Sequence, residues 1–274
     1  MVNEYRLKSI FPLGTVGWMP NDSRHTTCYL LTSETAAVFL DMGTGVVRLF
    51  HPHLRTLVDK ADRIFVLLSH FHLDHIIGIA YLPLFFRSKR VQIVGPGPTI
   101  SGYKTEEILA SLFRSPVFSL PLSEFPMKLS FGDFVVGRNE LDSGFAVDIS
   151  PQEHSDPSVA IKLGDGQVVF ATDTACQERT EKFASGADIL IHESYFDVED
   201  YEALSSDNNR RLTLAAHSHV REVGWLAKRA HVRRLLLTHF NPEYSEERLR
   251  RMENDCRRIF SDAAVPIEGS EIPI

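Results

Sequence analysis

Ser69-His70-Phe71-His72-Leu73-Asp74-His75 places four metal-ligating side chains within six residues, directly after the apolar run Ile64-Phe65-Val66-Leu67-Leu68. That run, 63–69, reads as a buried strand of the parallel kind. His70 and His72 are two apart, so on extended backbone both point to one side and can share an ion. Asp74 and His75 fall where the chain turns into a helical segment over 76–81; they point elsewhere and are free to hold a second ion. Pro83 is expected to end or kink that helix. Imidazole plus carboxylate is the donor chemistry of zinc-type sites.

Working outward, strand-like and helix-like stretches alternate with no linker and no repeat. Residues 28–31 and 37–40 read as a hairpin around Thr32-Ser33-Glu34. Helices are expected over 48–60 and 105–113, and a short strand over 91–94. The middle is strand-rich, with candidates at 131–136, 145–149, 158–163 and 167–171, the last two joined by the turn Gly164-Asp165-Gly166. Helix and strand then alternate over 178–184, 188–192, 220–230 and 234–238. A last helix over 245–260 presents Leu249, Met252, Cys256, Ile259 and Phe260 as a core-facing stripe. Two sheets covered by outer helices, an α/β fold in a single domain over 1–274, satisfy this order.

Composition narrows the function classes. Of 274 residues, 43% are hydrophobic and 24% charged, which excludes a mainly disordered chain. The longest nearly unbroken apolar run, 76–86, falls well short of the roughly 20 residues a membrane span needs. The opening Met-Val-Asn-Glu-Tyr-Arg has no sustained apolar region, so a cytoplasmic location is expected. The net charge of −7 is the opposite of the basic footprint of a chain that grips long nucleic acid. Cys28, Cys176 and Cys256 show no paired spacing and read as reduced, mostly packed thiols. Histidine, at 12 residues, is the count that points to metal or proton chemistry.

The pattern His70-x-His72-x-Asp74-His75 after a strand resembles the signature of the metallo-β-lactamase superfamily, whose fold is a four-layer αβ/βα sandwich with a binuclear metal site between the sheets. The resemblance implies three further ligands at strand ends, and the sequence offers His154, Asp173 and His239 in that order. By the family pattern His70, His72 and His154 hold one ion, Asp74, His75 and His239 hold the other, and Asp173 bridges them. The implied cofactor is two Zn2+, with Mn2+ or Fe2+ as substitutes. The implied chemistry is hydrolysis through a metal-bridging hydroxide.

Three segments are similar to the ribonuclease Z branch and its phosphodiesterase relatives. Leu13-Gly14-Thr15-Val16-Gly17-Trp18-Met19-Pro20 resembles the branch's first loop, Ile191-His192-Glu193-Ser194-Tyr195 its His-Glu-Ala-Thr segment, and His217-Ser218-His219 its His-Ser-Thr segment. His72 stands where flavodiiron proteins carry Glu, and Glu153-His154-Ser155-Asp156 departs from the glyoxalase-like thioesterase motif. The carry-over makes His217 a general acid or phosphate contact oriented by Glu193, with Asp74 the other candidate proton donor. Departures are Ser194 and Tyr195 for Ala-Thr, His219 for Thr, and Thr172 for Gly.

The interval from His154 to Asp173 is too short for the basic tRNA-gripping arm that ribonuclease Z inserts there. With the acidic balance, this favours a small phosphodiester substrate: a cyclic nucleotide, a cyclic phosphate or a short oligonucleotide. Long nucleic acid is the less favoured partner, no membrane partner is expected, and a homodimer is compatible with the pattern. The alternatives are a ribonuclease Z-like tRNA 3′ endonuclease, a lactone, thioester or sulfate-ester hydrolase, and a non-catalytic metal-binding module. Arg87-Ser88-Lys89-Arg90 and Lys228-Arg229 read as solvated faces. His25 is a pocket-lining candidate, and His51, His53 and His231 read as structural.

Overall fold

The computed structural model describes residues 6–205 and 216–274; the first five residues of the apolar-poor N-terminus lie outside them. Six strands open the chain: β1 (Ser9–Gly14), β2 (Cys28–Thr32), β3 (Ala36–Leu40), β4 (Arg63–Leu67), β5 (Arg90–Pro96) and β6 (Lys128–Phe134). Then come β7 (Gly137–Glu140), β8 (Ala146–Gln152), β9 (Ser158–Leu163), β10 (Val168–Ala171), β11 (Ile189–Glu193), β12 (Arg234–Thr238) and β13 (Ala263–Ala264). The last strand, β14 (Ile272–Pro273), returns to the first sheet beside β1. The two sheets are ordered β14-β1-β2-β3-β4-β5-β6 and β13-β12-β11-β10-β9-β8-β7.

Burial explains the four layers. Side chains alternate along each strand, so each sheet has two faces to cover. Phe65, Leu67, Tyr29 and Leu31 of the first sheet meet Val147, Ile161, Phe170 and Ile191 of the second in one buried cluster. Ile64, Val66 and Ile93 instead pack outward under Leu54, Val58, Ile79 and Leu109 of the helical layer. Val169, Leu190, Leu235 and Leu237 do the same under Val223, Leu226, Leu249 and Met252. The fold is therefore the expected αβ/βα sandwich. Its central strands read as continuous apolar runs because both faces are buried.

Strands β3 to β6 are mutually parallel, as are β10 to β13. Their carboxyl ends gather at one rim of the sandwich, where open α/β sheets place ligands.

Local differences from the sequence reading have local causes. The helix expected over 48–60 is two pieces, a 3-10 turn Thr44–Phe50 and an α-helix Pro52–Lys60. His51 is extended because the residue before a proline avoids helical backbone, and Pro52 then opens the next helix. Pro83 does not end a helix; it sits in the first turn of Leu82–Phe85, the last of three short turns that start at Leu73. Strand β1 is not expected from the sequence, and only its last two residues overlap the segment 13–20 read as a first loop; Pro12 sits at a register shift between Pro12 and Gly14, where sheets tolerate proline.

Across the sandwich, Tyr29 of β2 and Phe170 of β10 hold the sheets together, with ring centroids 5.8 Å apart and both side chains fully buried. Phe170→Ala is expected to cost about 3–5 kcal/mol, read as a lowered urea midpoint with an unchanged slope; a shift under about 1 kcal/mol would remove that pair from the sheet-to-sheet contact.

Candidate metal centre

Every expected ligand lies at the rim where the parallel strands end. His70, His72, Asp74 and His75 follow β4, His154 follows β8, Asp173 follows β10, and His239 follows β12. The seven form two groups, His70–His72–His154–Asp173 and Asp74–His75–His239, whose ligand atoms within each lie within 4.8 Å of one another. Asp173 divides its carboxylate between them. Its Oδ2 lies 3.6 Å from Nε2 of His70 and 3.5 Å from Nε2 of His154. Its Oδ1 lies 3.2 Å from Nε2 of His75 and 3.1 Å from Nε2 of His239. Asp74 Oδ2 stands 3.2 Å from His75 Nε2 and 3.5 Å from His239 Nε2. Asp74 and His75, expected to point away from His70 and be free for a second ion, group with His239 instead of with His70 and His72; the chain coils into Leu73–Ile76 immediately after His72.

Backbone strain marks this rim. Among the described residues six non-glycine positions have positive φ, and four of them are Trp18, Asp41, Asp173 and His239. Each such position costs on the order of 1–3 kcal/mol and persists only where the surroundings impose it. Asp41, Asp173 and His239 use this backbone to turn a side chain back over a strand end.

Several supporting residues were not singled out in the sequence reading. Asp41, fully buried after β3, accepts from Ser69 N at 2.7 Å and Ser69 Oγ at 2.8 Å, and lies 2.7 Å from His75 Nδ1. That contact turns Nε2 of His75 into the cluster, as partners of ligating histidines do. Asp156 contacts Nε2 of His72 at 2.8 Å, leaving Nδ1 facing His154 Nε2 at 3.4 Å. Trp18 donates its backbone N–H to Asp74 Oδ2 at 2.7 Å. The only signal for Asp41 was a single acid closing an apolar strand, which is common. For Asp156, 84 residues from His72, there was none.

Beside the cluster, Glu193 ends β11 fully buried. Its Oε2 lies 2.9 Å from His217 Nδ1 and 3.2 Å from His239 Nδ1, and its Oε1 accepts from Ser218 N at 2.6 Å. The His217 ring stacks on Tyr195 at 4.6 Å, and Asp173, His217 and His239 form a third overlapping ligand group. Of the other departures, His219 caps the helix Val220–Arg229 and Thr172 donates to Asp173 Oδ1 at 2.9 Å.

Charge and hydrogen bonding test whether cations fit. Nε2 of His70, His75 and His239 is buried with no hydrogen-bond partner among the described residues, an arrangement that costs free energy unless those nitrogens find a partner. Burial opposes charge on His75, yet Asp74, Asp173 and Asp41 raise its pKa well above the ordinary value. His239 is likewise pushed up to about 10 against burial by Asp173, Asp74 and Glu193. Burial also works against charge on His217, which Glu193 outweighs, raising it. By contrast, burial lowers His70. The cluster thus draws positive charge into its centre, and its donors are those of a divalent-cation site.

The cluster opens into a cleft of about 250 Å³ lined by Trp18, His72, Asp74, His154, Ser155, Asp173, Tyr195, His217 and His239. His25 does not line it. Its backbone N–H is held by Glu268, and it lines a separate cavity with Arg48. Lys89 is spent on Asp59 O and Ala61 O, and Arg229 on Glu181.

Residues 33–240 match the family described as the beta-lactamase superfamily domain. The chain belongs to that superfamily. A superfamily relative named ribonuclease Z, from Methanosarcina acetivorans, is 26% identical over 96% of each chain. That alignment runs over 316 positions against 274 residues here, so the relative holds more than forty positions with no counterpart. Among solved structures, the metallo-beta-lactamase fold protein YhfI from Bacillus subtilis superposes with a TM-score of 0.74, at 21% identity over 98% of this chain and all of that one. A diphosphatase of the PhnP family superposes with a TM-score of 0.67, at 15% identity over 97% and 98%. Both have the sandwich described above.

The loop after β1 closes on the site through Gly17, whose N–H donates to Phe240 O at 2.9 Å. A Cβ at Gly17 would lie 2.4 Å from the His239 ring, a distance no packed atom tolerates. Gly17→Ala is expected to displace loop or imidazole and to cost about 1–3 kcal/mol, measured by thermal unfolding; unchanged unfolding and an unchanged His239 NMR signal would contradict the close packing.

Proposed function

We propose that this superfamily member is a binuclear metal-dependent phosphodiesterase acting on small phosphodiesters. The observation that carries the reading is the division of Asp173, one oxygen toward His70 and His154 and the other toward His75 and His239. A single cation would need only one of those faces. On this reading His70, His72 and His154 hold one Zn2+, Asp74, His75 and His239 hold the other, and Asp173 serves both. When bound, such ions supply Lewis acidity to a phosphoryl oxygen and make water acidic enough to ionise near neutral pH.

The protein's own residues do the rest. Asp41 and Asp156 fix which nitrogen His75 and His72 present. Glu193 accepts from His217 Nδ1–H, which leaves Nε2 to hold a proton for the leaving oxygen. Glu193 thereby orients the imidazole and stabilises its protonated form. Asp74 is kept ionised against burial by His75 and His239, which suits a ligand better than a proton donor.

The surroundings support a small substrate. Strands β9 and β10 are joined by the tight turn Gly164–Gly166, which supports the absence of an inserted arm between His154 and Asp173. The cleft suits a phosphodiester group and one adjoining substituent more than a folded RNA. A second reading, tRNA 3′ processing, is favoured by the similarity to a ribonuclease Z over nearly its whole length.

A hydrolysis panel of cyclic nucleotides, linear phosphodiesters, pre-tRNA and thioesters, with metal content measured on the same sample, tests the proposal. Turnover of small diesters with two ions per chain is expected; cleavage confined to pre-tRNA or to thioesters would replace the substrate assignment. Asp173→Asn is expected to leave close to one ion per chain, and two tightly held ions in that variant would sink the shared-ligand role. His217→Ala is expected to slow turnover about 100-fold or more with metal content retained. Turnover within a few-fold of the parent would retire it as the proton donor.

A further inference from the structure

We propose that the cleft contains a nucleobase subsite whose stacking face is Trp18, so that the substrate is a nucleoside phosphodiester rather than a base-free one. This rests on the phosphodiesterase reading and narrows it. Trp18 is 72% exposed although it lines the same cleft as His72, Asp74 and His217. A large ring left in water beside a polar site is unusual, since indole is normally buried or partnered. Its neighbours repeat the pattern: Met19 is 52% and Leu73 56% exposed, and Leu73 precedes Asp74, the residue that holds the Trp18 N–H. Together they give the rim an apolar edge next to the cluster of carboxylates and imidazoles.

The position of Trp18 is imposed. Its φ is 62°, a left-handed conformation that bulky residues rarely adopt. The loop is fastened at both ends of that residue. Gly17 is held by Phe240 O and packs on His239, and Trp18 N–H is held by Asp74. Farther back, buried Arg24 bonds Glu246 and Thr15 Oγ1, while Glu268 accepts from Thr15 Oγ1 and from His25 N. Strain held by that many contacts at a cleft mouth is of the kind that clusters at functional sites, ligand clamps among them.

Tyr195 lines the same cleft and stacks on His217. It supplies a second aromatic surface on the proton-donor side. Every base has a π-face, so a stacking platform selects for a nucleobase without selecting which one. A phosphate bound at the metal cluster, with its nucleoside directed to Trp18, uses both halves of the cleft.

The chain has two tryptophans, and Trp225 lies away from the cleft on the helix Val220–Arg229, under Lys228. Trp225→Phe therefore makes Trp18 the sole tryptophan reporter. In that variant, as purified with its metals, adenosine 5′-monophosphate is expected to quench the fluorescence saturably, whereas ribose 5-phosphate is not. Equal quenching by both, or none by either, overturns the subsite. In kinetics, Trp18→Ala is expected to lower the preference for 2′,3′-cyclic AMP over glycerol 1,2-cyclic phosphate by about tenfold or more, mainly through KM, and Trp18→Phe to restore most of it. An unchanged preference in Trp18→Ala refutes the proposal. If the parent hydrolyses neither these two nor any small diester of the panel above, the phosphodiesterase reading itself has failed, and the quenching result still decides whether Trp18 stacks a base.

Discussion

Asp173 is a carboxylate almost wholly removed from water, and four imidazoles surround its two oxygens. An isolated charge in that position would be far too costly to keep. It is tolerable only if positive charge is delivered to it from every side. The first sheet delivers His70 and His75 from the end of β4, and the second delivers His154 and His239 from the ends of β8 and β12. The sandwich must therefore align two sheets to within hydrogen-bonding distance at one rim. The apolar layer between the sheets, with Tyr29 against Phe170 and Phe65 against Phe145, holds that alignment.

Strain and support are distributed accordingly. Asp41, Asp173 and His239 all leave a strand through left-handed backbone, so each side chain returns toward the rim instead of following the strand direction. Conformations of that kind are held by partners: Asp41 by Ser69 and His75, Asp173 by Thr172 and the imidazoles, His239 by Asp74 and Glu193. The Glu193–His217 pair is built the same way. Glu193, buried at the end of β11, fixes Ser218 and His217 together, so the segment that carries His217 is aligned by the strand that carries Glu193.

Much of this was legible before any coordinates. Four of the seven candidate ligands stood out because they cluster directly after an apolar run, the other three followed from the pattern of the family the sequence resembles, and His217 with Glu193 followed from segments that resemble one of its branches. What failed to read through was local geometry with a nonlocal cause. Proline at 52 and 83 opened helical turns where continuity or termination was expected. Strand β1 was hidden by Pro12, and His25 was drawn off by Glu268, 243 residues away.

The sequence by itself determined the α/β fold class and the donor chemistry of the His70–His75 stretch, because hydrophobic periodicity and ligand type are properties of short stretches; the other three candidate ligands came from the family resemblance. Only the tertiary structure decided which oxygen of Asp173 faces which pair of histidines. It alone also brought Asp41 to His75, Asp156 to His72, and an exposed Trp18 to the mouth of the cleft. Those are distances between residues far apart in the chain, and they are set by how two sheets pack, which no local pattern encodes.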